Sequence, residues 1–190
     1  MLVTADLGCD LVQAFRLDGR GVLHETGRAA TATGCGPRHV AIAADARVLY
    51  VIGELDGDIT VFALDPDTGA IGDQLQTVPT SPPGHTGQQS AAEIALHPSG
   101  RFLYASNRGS QTIAAYRVDP ADGRLSAIGF TGDRIAGPTN FAIAPAGDRL
   151  YVDSGETDLV VPFRIDDETG RLEPGGEGTR LPAPNVMVIA

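Results

Sequence analysis

The chain has 190 residues, 24 of them Gly and 13 Pro, and the longest stretch free of both runs only from Arg38 to Ile52. That spacing excludes a helical bundle and predicts an all-β chain of short strands joined by turns. The formal charge is −10 and every basic residue is Arg, so the basic face that a nucleic-acid partner demands is missing.

In chain order, the first predicted strand is Leu2 to Asp6, and its Leu2-Val3 pair returns as Leu49-Tyr50, Leu103-Tyr104 and Leu150-Tyr151 at intervals of 47, 54 and 47 residues. A second anchor, Asp18, Asp65, Asp119 and Asp166, repeats with the same three intervals. Each unit reads as four strands. A short apolar strand comes first (His39 to Ala43, Glu93 to His97, Asn140 to Ala144). A turn leads from it to the strand that holds the Leu anchor: Val48 to Gly53, Phe102 to Asn107, Arg149 to Ser154. The third strand alternates apolar and polar positions, as in Ile59 to Leu64 and Ile113 to Val118, and ends in a turn rich in Asp, Pro and Gly. The fourth is the least regular. Four strands per unit of 40 to 50 residues predict a β-propeller of four-stranded antiparallel blades, with a β-sandwich as the runner-up.

The extra length of the middle interval lies in Gln76 to Gln89, where Pro79-Thr-Ser-Pro-Pro-Gly84 marks a long loop. The units run approximately over 1–38, 39–92, 93–139 and 140–184, with a closing first strand at 185–190. About four blades' worth of strands are therefore present. They could close as a small ring or form an open arc of a larger one, whose exposed blade edges would allow self-association.

An antiparallel meander puts the start of each first strand beside the end of each second strand, at one mouth of the channel. Ten residues before the Leu anchors stand His39, Glu93 and Asn140, and the match of Pro184-Asn185-Val186 with Thr139-Asn140-Phe141 adds Asn185. Arg38 shares that rim. Five residues after the anchors stand Glu54 and Arg108, with Asn107 beside the latter, and the loop bearing His85 is expected on the same face. Two Arg, two Glu and a His beside a channel make a plausible pocket for an anionic small molecule. The bland reading has Asn140 and Asn185 stitching neighbouring blades and Glu54 pairing with Arg108 as a structural ion pair. His24 and His97 read as structural, and His85 stays ambiguous. No dinucleotide loop, nucleophile elbow, zincin or EF-hand pattern is present, so no metal and no cofactor are expected. No run of eighteen apolar residues and no basic, apolar leader occurs, which predicts no membrane partner, no secretory signal and a cytoplasmic setting.

Several blocks carry a family resemblance. Gly36-Pro-Arg-His39, Leu49-Tyr-Val-Ile-Gly-Glu54, Ser90-Ala-Ala-Glu-Ile94, Phe102-Leu-Tyr-Ala-Ser-Asn-Arg-Gly109 and Pro184-Asn-Val-Met-Val188 resemble the lactonase family of seven-bladed β-propellers. The resemblance implies an arc equivalent to the C-terminal part of such a ring, and an activity like that of 6-phosphogluconolactonase or the related carboxy-muconate cyclase; a non-catalytic binding propeller, or a fragment without activity of its own, is the rival from another class. The family's channel residues fall on His39, Glu54, Glu93 and Arg108. The implied substrate is a phosphorylated sugar lactone. His39 or Glu93 would deprotonate the attacking water, Arg108 and Asn107 would stabilise the oxyanion, Arg38 would grip the phosphate, and Glu54 and Asn140 would help bind substrate. Two blocks depart from the family's pattern: Pro138-Thr-Asn-Phe141 and Val152-Asp-Ser154.

Overall fold

The computed structural model describes residues 1–189, and among them every regular element is a β-strand. The first sheet joins β1 (Leu2–Asp6), β2 (Leu11–Leu17) and β3 (Leu23–Ala30). The second joins β4 (Pro37–Ile42), β5 (Val48–Gly53), β6 (Asp58–Leu64) and β7 (Ile71–Pro79) in sequence order. The third repeats that order with β8 (Ala91–Leu96), β9 (Phe102–Asn107), β10 (Thr112–Val118) and β11 (Leu125–Thr131). The fourth holds β12 (Phe141–Ile143), β13 (Arg149–Ser154), β14 (Leu159–Ile165), β15 (Leu172–Pro174) and β16 (Thr179–Arg180). Every pairing is antiparallel and consecutive, apart from β16, which joins β14 beside β15. The sheets follow one another as blades of a partial β-propeller. No strand pairing among the described residues joins the first sheet to the fourth, so the arrangement is an open arc rather than a closed four-bladed ring.

The core lies between blades, not within them. Val12, Leu49, Val51 and Phe62 fill the seam between the first two sheets. Tyr50, Ile52 and Val61 meet Ile94, Leu103 and Ala105 at the next seam, and Phe102, Tyr104 and Ile113 meet Leu150, Val152 and Phe163 at the third. Alternate residues of one strand point to opposite faces, so β5 and β9 feed two seams each and are buried at every position.

The tyrosines of two Leu-Tyr anchors tie blade to blade. Tyr50 donates its hydroxyl to the Gly123 carbonyl at 2.9 Å, and Tyr104 does the same to Gly170 at 2.8 Å. Those glycines close the Asp turns, with φ of 72° and 73°, and a Cβ on Gly170 would run into the Phe102 ring. Only Gly fits there. Replacing Tyr104 by Phe leaves a buried carbonyl without its donor, and denaturant unfolding should show a loss of about 1–2 kcal/mol. An unchanged unfolding midpoint would remove this hydrogen bond from the account of blade docking.

The irregular outer strand has a physical cause. The ladder slips by a residue at Ala14/Phe15, at Val61/Phe62 and at Ala115/Tyr116, which are equivalent positions of the repeat. The fourth blade has Pro162 there, which offers no N–H, and its outer strand breaks into β15 and β16. The closing strand expected at 185–190 is a correction: residues 183–189 form no strand, and residue 190 lies outside the described residues. Two amides tie the segment back, Ala183 on an Asp158 side-chain oxygen at 2.9 Å and Met187 on the Asn140 side-chain oxygen at 3.0 Å. No helix among the described residues is long and apolar enough to cross a membrane.

Candidate active site

The inner strands of successive blades bring His39, Glu93 and Asn140 into one hydrogen-bonded chain. Nδ1 of His39 donates to Oε1 of Glu93 at 3.0 Å, and Nδ2 of Asn140 donates to Oε2 of the same carboxylate at 2.6 Å. Because Nδ1 carries the proton in that bond, Nε2 of a neutral His39 presents its lone pair outward. The ring is 41% exposed, whereas Glu93 lies deeper. Burial pushes the Glu93 carboxyl up. The His39 hydrogen bond and charge, with donors from the Ile94 amide and Asn140, outweigh that and hold it below the usual carboxylate range.

Beside this chain, Glu54 sits between two guanidinium groups. Arg38 reaches one carboxylate oxygen through Nε at 3.2 Å, and Arg108 reaches the other through Nη2 at 2.6 Å. Backbone fixes all three. The Glu54 carbonyl accepts the Ala91 amide, Arg38 donates to the Ala92 carbonyl at 2.8 Å, and Arg108 donates through Nε to the Ser90 carbonyl at 3.3 Å. Nη1 of Arg38 also stands 3.2 Å from both ring nitrogens of His39. Nη2 of Arg38 and Nη1 of Arg108 have no protein partner among the described residues, so each fork keeps donors for an incoming anion. An open depression of about 440 Å³ adjoins Arg108 and is lined by Thr139, Gly155, Glu156, Pro184 and Asn185.

Three side chains expected at the mouth do other work. Asn107 is fully buried. Its Nδ2 is 2.8–3.0 Å from Thr80, Ser81 and Gln89 acceptors, and its oxygen takes the Gly109 amide at 2.8 Å and the Ser110 amide at 3.2 Å. It pins the long loop and the turn after β9, and has no donor to offer an oxyanion. The reason is the period of two: Asn107 and Arg108 are neighbours and cannot both face the channel. His85 lies at the outer seam, in a groove with Val78, Tyr116, Ala127 and Phe130, away from the Arg and Glu side chains. Asn185 is exposed beside the depression, and the bond to Asn140 comes from Met187 instead.

Two other expectations are met by plain contacts. His97 donates from Nε2 to the Gly147 carbonyl at 2.7 Å, and His24 sits 3.0 Å from Asp18 on the surface. Burial pushes the Cys35 thiol up to about 12, which leaves it inert as a nucleophile. Among the described residues no cluster of three or more His, Cys, Asp or Glu side chains is arranged as a metal site.

Sequence reasoning named the block Val152-Asp-Ser154 as a departure but gave Asp153, on β13, no role. Asp153 has no exposed surface, and one of its oxygens accepts the Asn140 amide at 2.7 Å while the other is buried without a partner. Burial pushes its carboxyl up to about 6. The Glu93 charge adds to this, against the amides of Asn140 and Thr139 and the charge of Arg38. The signal was a lone acidic residue inside the apolar run Leu150-Tyr-Val-Asp153.

A family model described as "Lactonase, 7-bladed beta-propeller" matches residues 1–189. Among curated relatives, a 6-phosphogluconolactonase of Serratia proteamaculans is 34% identical over 132 residues, covering 68% of this chain and 40% of its own length. Among solved structures, a protein of Lactobacillus plantarum superposes with a TM-score of 0.89 at 32% identity, over 95% of this chain and 52% of that one. The periplasmic gluconolactonase of Pseudomonas aeruginosa superposes with a TM-score of 0.88 at 29% identity, over 97% of this chain and 52% of that one. The chain thus spans about half, or less, of the length of the proteins it matches. With its sheets succeeding one another as blades and its full described length matched, this chain belongs to the lactonase family of seven-bladed β-propellers.

Proposed function

We propose that this chain carries the catalytic channel residues of a lactonase that hydrolyses 6-phospho-D-glucono-1,5-lactone to 6-phosphogluconate. The observation that carries the reading is the pairing of a carboxylate-held imidazole, His39 on Glu93, with two guanidinium groups that keep free donors. Nε2 of His39 takes a proton from water as the oxygen adds to the lactone carbonyl carbon. Glu93 stabilises the imidazolium that forms. The negative charge that develops on the carbonyl oxygen meets the free donors of Arg108. The ring C–O bond then breaks, His39 returns its proton to the departing ring oxygen, and the product is the open-chain acid. Arg38 holds the phosphate, and Glu54 keeps both forks oriented. Asn107 is left out of this scheme.

The 6-phosphogluconolactonase name of the Serratia relative supports the substrate class. The test is lactone hydrolysis by the purified chain, followed with the phosphorylated lactone and with plain glucono-lactone. A kcat/KM at least about tenfold higher for the phosphorylated ester is expected from one charge-assisted contact. Hydrolysis no faster than in buffer would overturn the reading. Arg38→Met should raise KM for the phosphorylated lactone by about tenfold and leave plain glucono-lactone unaffected. An equal effect on both substrates would assign Arg38 to the ester rather than the phosphate.

A further inference from the structure

Repeat register isolates what is unusual about Asp153. The equivalent residue one blade earlier is Ser106, whose hydroxyl accepts the Glu93 amide at 3.0 Å, and one blade before that it is Ile52. Asp153 does the same backbone task for Asn140 with one oxygen. A hydroxyl would suffice. The carboxyl brings a second oxygen that is buried and unpartnered, and it brings a charge into a seam with no exposed surface. Natural interiors rarely keep such a group without a use for it.

Asn140 links that charge to the reaction centre. Its backbone amide sits on Asp153, its side-chain amide sits on Glu93, and Glu93 holds His39. The charged groups facing Asp153 are Glu93 from β8 and Arg38 from the start of β4, with the amides of Asn140 and Thr139 on its own blade. We propose that Asp153 is a positioning residue of the lactone site, acting through Asn140 and Glu93, and that its ionisation strengthens the negative field behind His39. The proposal rests on the lactonase reading of the channel. As the water is deprotonated the imidazole gains positive charge, and a second carboxylate behind Glu93 favours that state. Burial places the ionisation of Asp153 near pH 6, so turnover acquires a step as pH rises through that value. KM does not move, because Asp153 touches no substrate.

The test is the pH profile of kcat and KM for three proteins: the parent chain, Asp153→Ser and Asp153→Asn. Serine restores the residue of the preceding blade, and Asn keeps an acceptor for the Asn140 amide if Ser fails to fold. The expected result is a two- to threefold step in kcat near pH 6 in the parent, beyond the loss of activity on acidification that a general base imposes on all three proteins, and absent from both variants, with KM unchanged. The carboxyl ¹³C resonance of Asp153 gives a readout without substrate. It should titrate near pH 6 and move to lower pH in Glu93→Gln, which removes the like charge. Identical pH profiles in all three proteins, or an Asp153 resonance that titrates below pH 4, would overturn the proposal. If no protein hydrolyses lactone yet the resonance titrates near pH 6 and responds to Glu93→Gln, the coupling stands and the lactone reading falls instead.

Discussion

His39→Ala should lower lactone turnover by about 10²–10⁴-fold with little change in KM, as expected for removal of a general base. The size of the effect follows from geometry. Nδ1 is fixed on Glu93 at 3.0 Å, so Nε2 is the ring's basic atom, with Nη1 of Arg38 3.2 Å from it, and the ring is exposed while Glu93 lies beneath it. The fold should barely register the change. His39 contributes no buried apolar surface to the seams between blades, so circular dichroism and the melting temperature should match the parent. Glu93→Gln should cost less, because the ring keeps a hydrogen-bond acceptor but loses the charge that stabilises the imidazolium. If His39→Ala turned over within twofold of the parent while Glu93→Gln lost activity, the carboxylate would be the base and the ring its partner. That reversal would also move Arg38 into a new role, since it would then stand 3.2 Å from a spectator ring.

The parts of the fold that were legible are those where burial constrains the residue type. β1, β5, β9 and β13 coincide with the strands expected from the Leu anchors, and in β5 and β9 the cause is that alternate residues feed two seams and every position is buried. The Asp turns were legible for a local reason: Asp65 and Asp166 accept amides two and three residues on, and Gly69 and Gly170 end the turns at positive φ. The outer strands were not, since β3, β7 and β11 face solvent and carry the register slip that Pro162 turns into a break. At the site, repeat arithmetic placed His39, Glu93 and Asn140 at equivalent positions, and the structure joins those three in one chain. The same arithmetic could not say which way Asn107 turns. It also passed over Asp153, which lies two residues before the Glu54 and Arg108 register, although a lone acidic residue in an apolar strand marks it.

Asp153→Asn should make the chain more stable than the parent above pH 6 by about 2–3 kcal/mol, and no more stable below pH 4. The sign follows from proton linkage. The ordinary value for the carboxyl is 3.8, and in the folded chain burial raises it to about 6. Between those values the folded chain holds a proton that the unfolded chain has released, so this group's contribution to stability is fully present below pH 4 and is lost as pH rises through 6. Two pH units at about 1.4 kcal/mol each set the upper limit. Glu93 works in the opposite sense: its folded value is depressed, so its contribution is present above the ordinary carboxylate range and lost on acidification. A stability curve of the parent alone therefore mixes two opposed slopes. The difference between parent and Asp153→Asn at each pH removes the Glu93 part to first order, because Asn occupies the same volume and carries no proton to titrate. Urea unfolding at pH 4, 5, 6, 7 and 8 measures it directly. A difference that stays constant over that range would mean that Asp153 keeps its charge at no cost in the fold, and would require a partner for the oxygen that is buried without one.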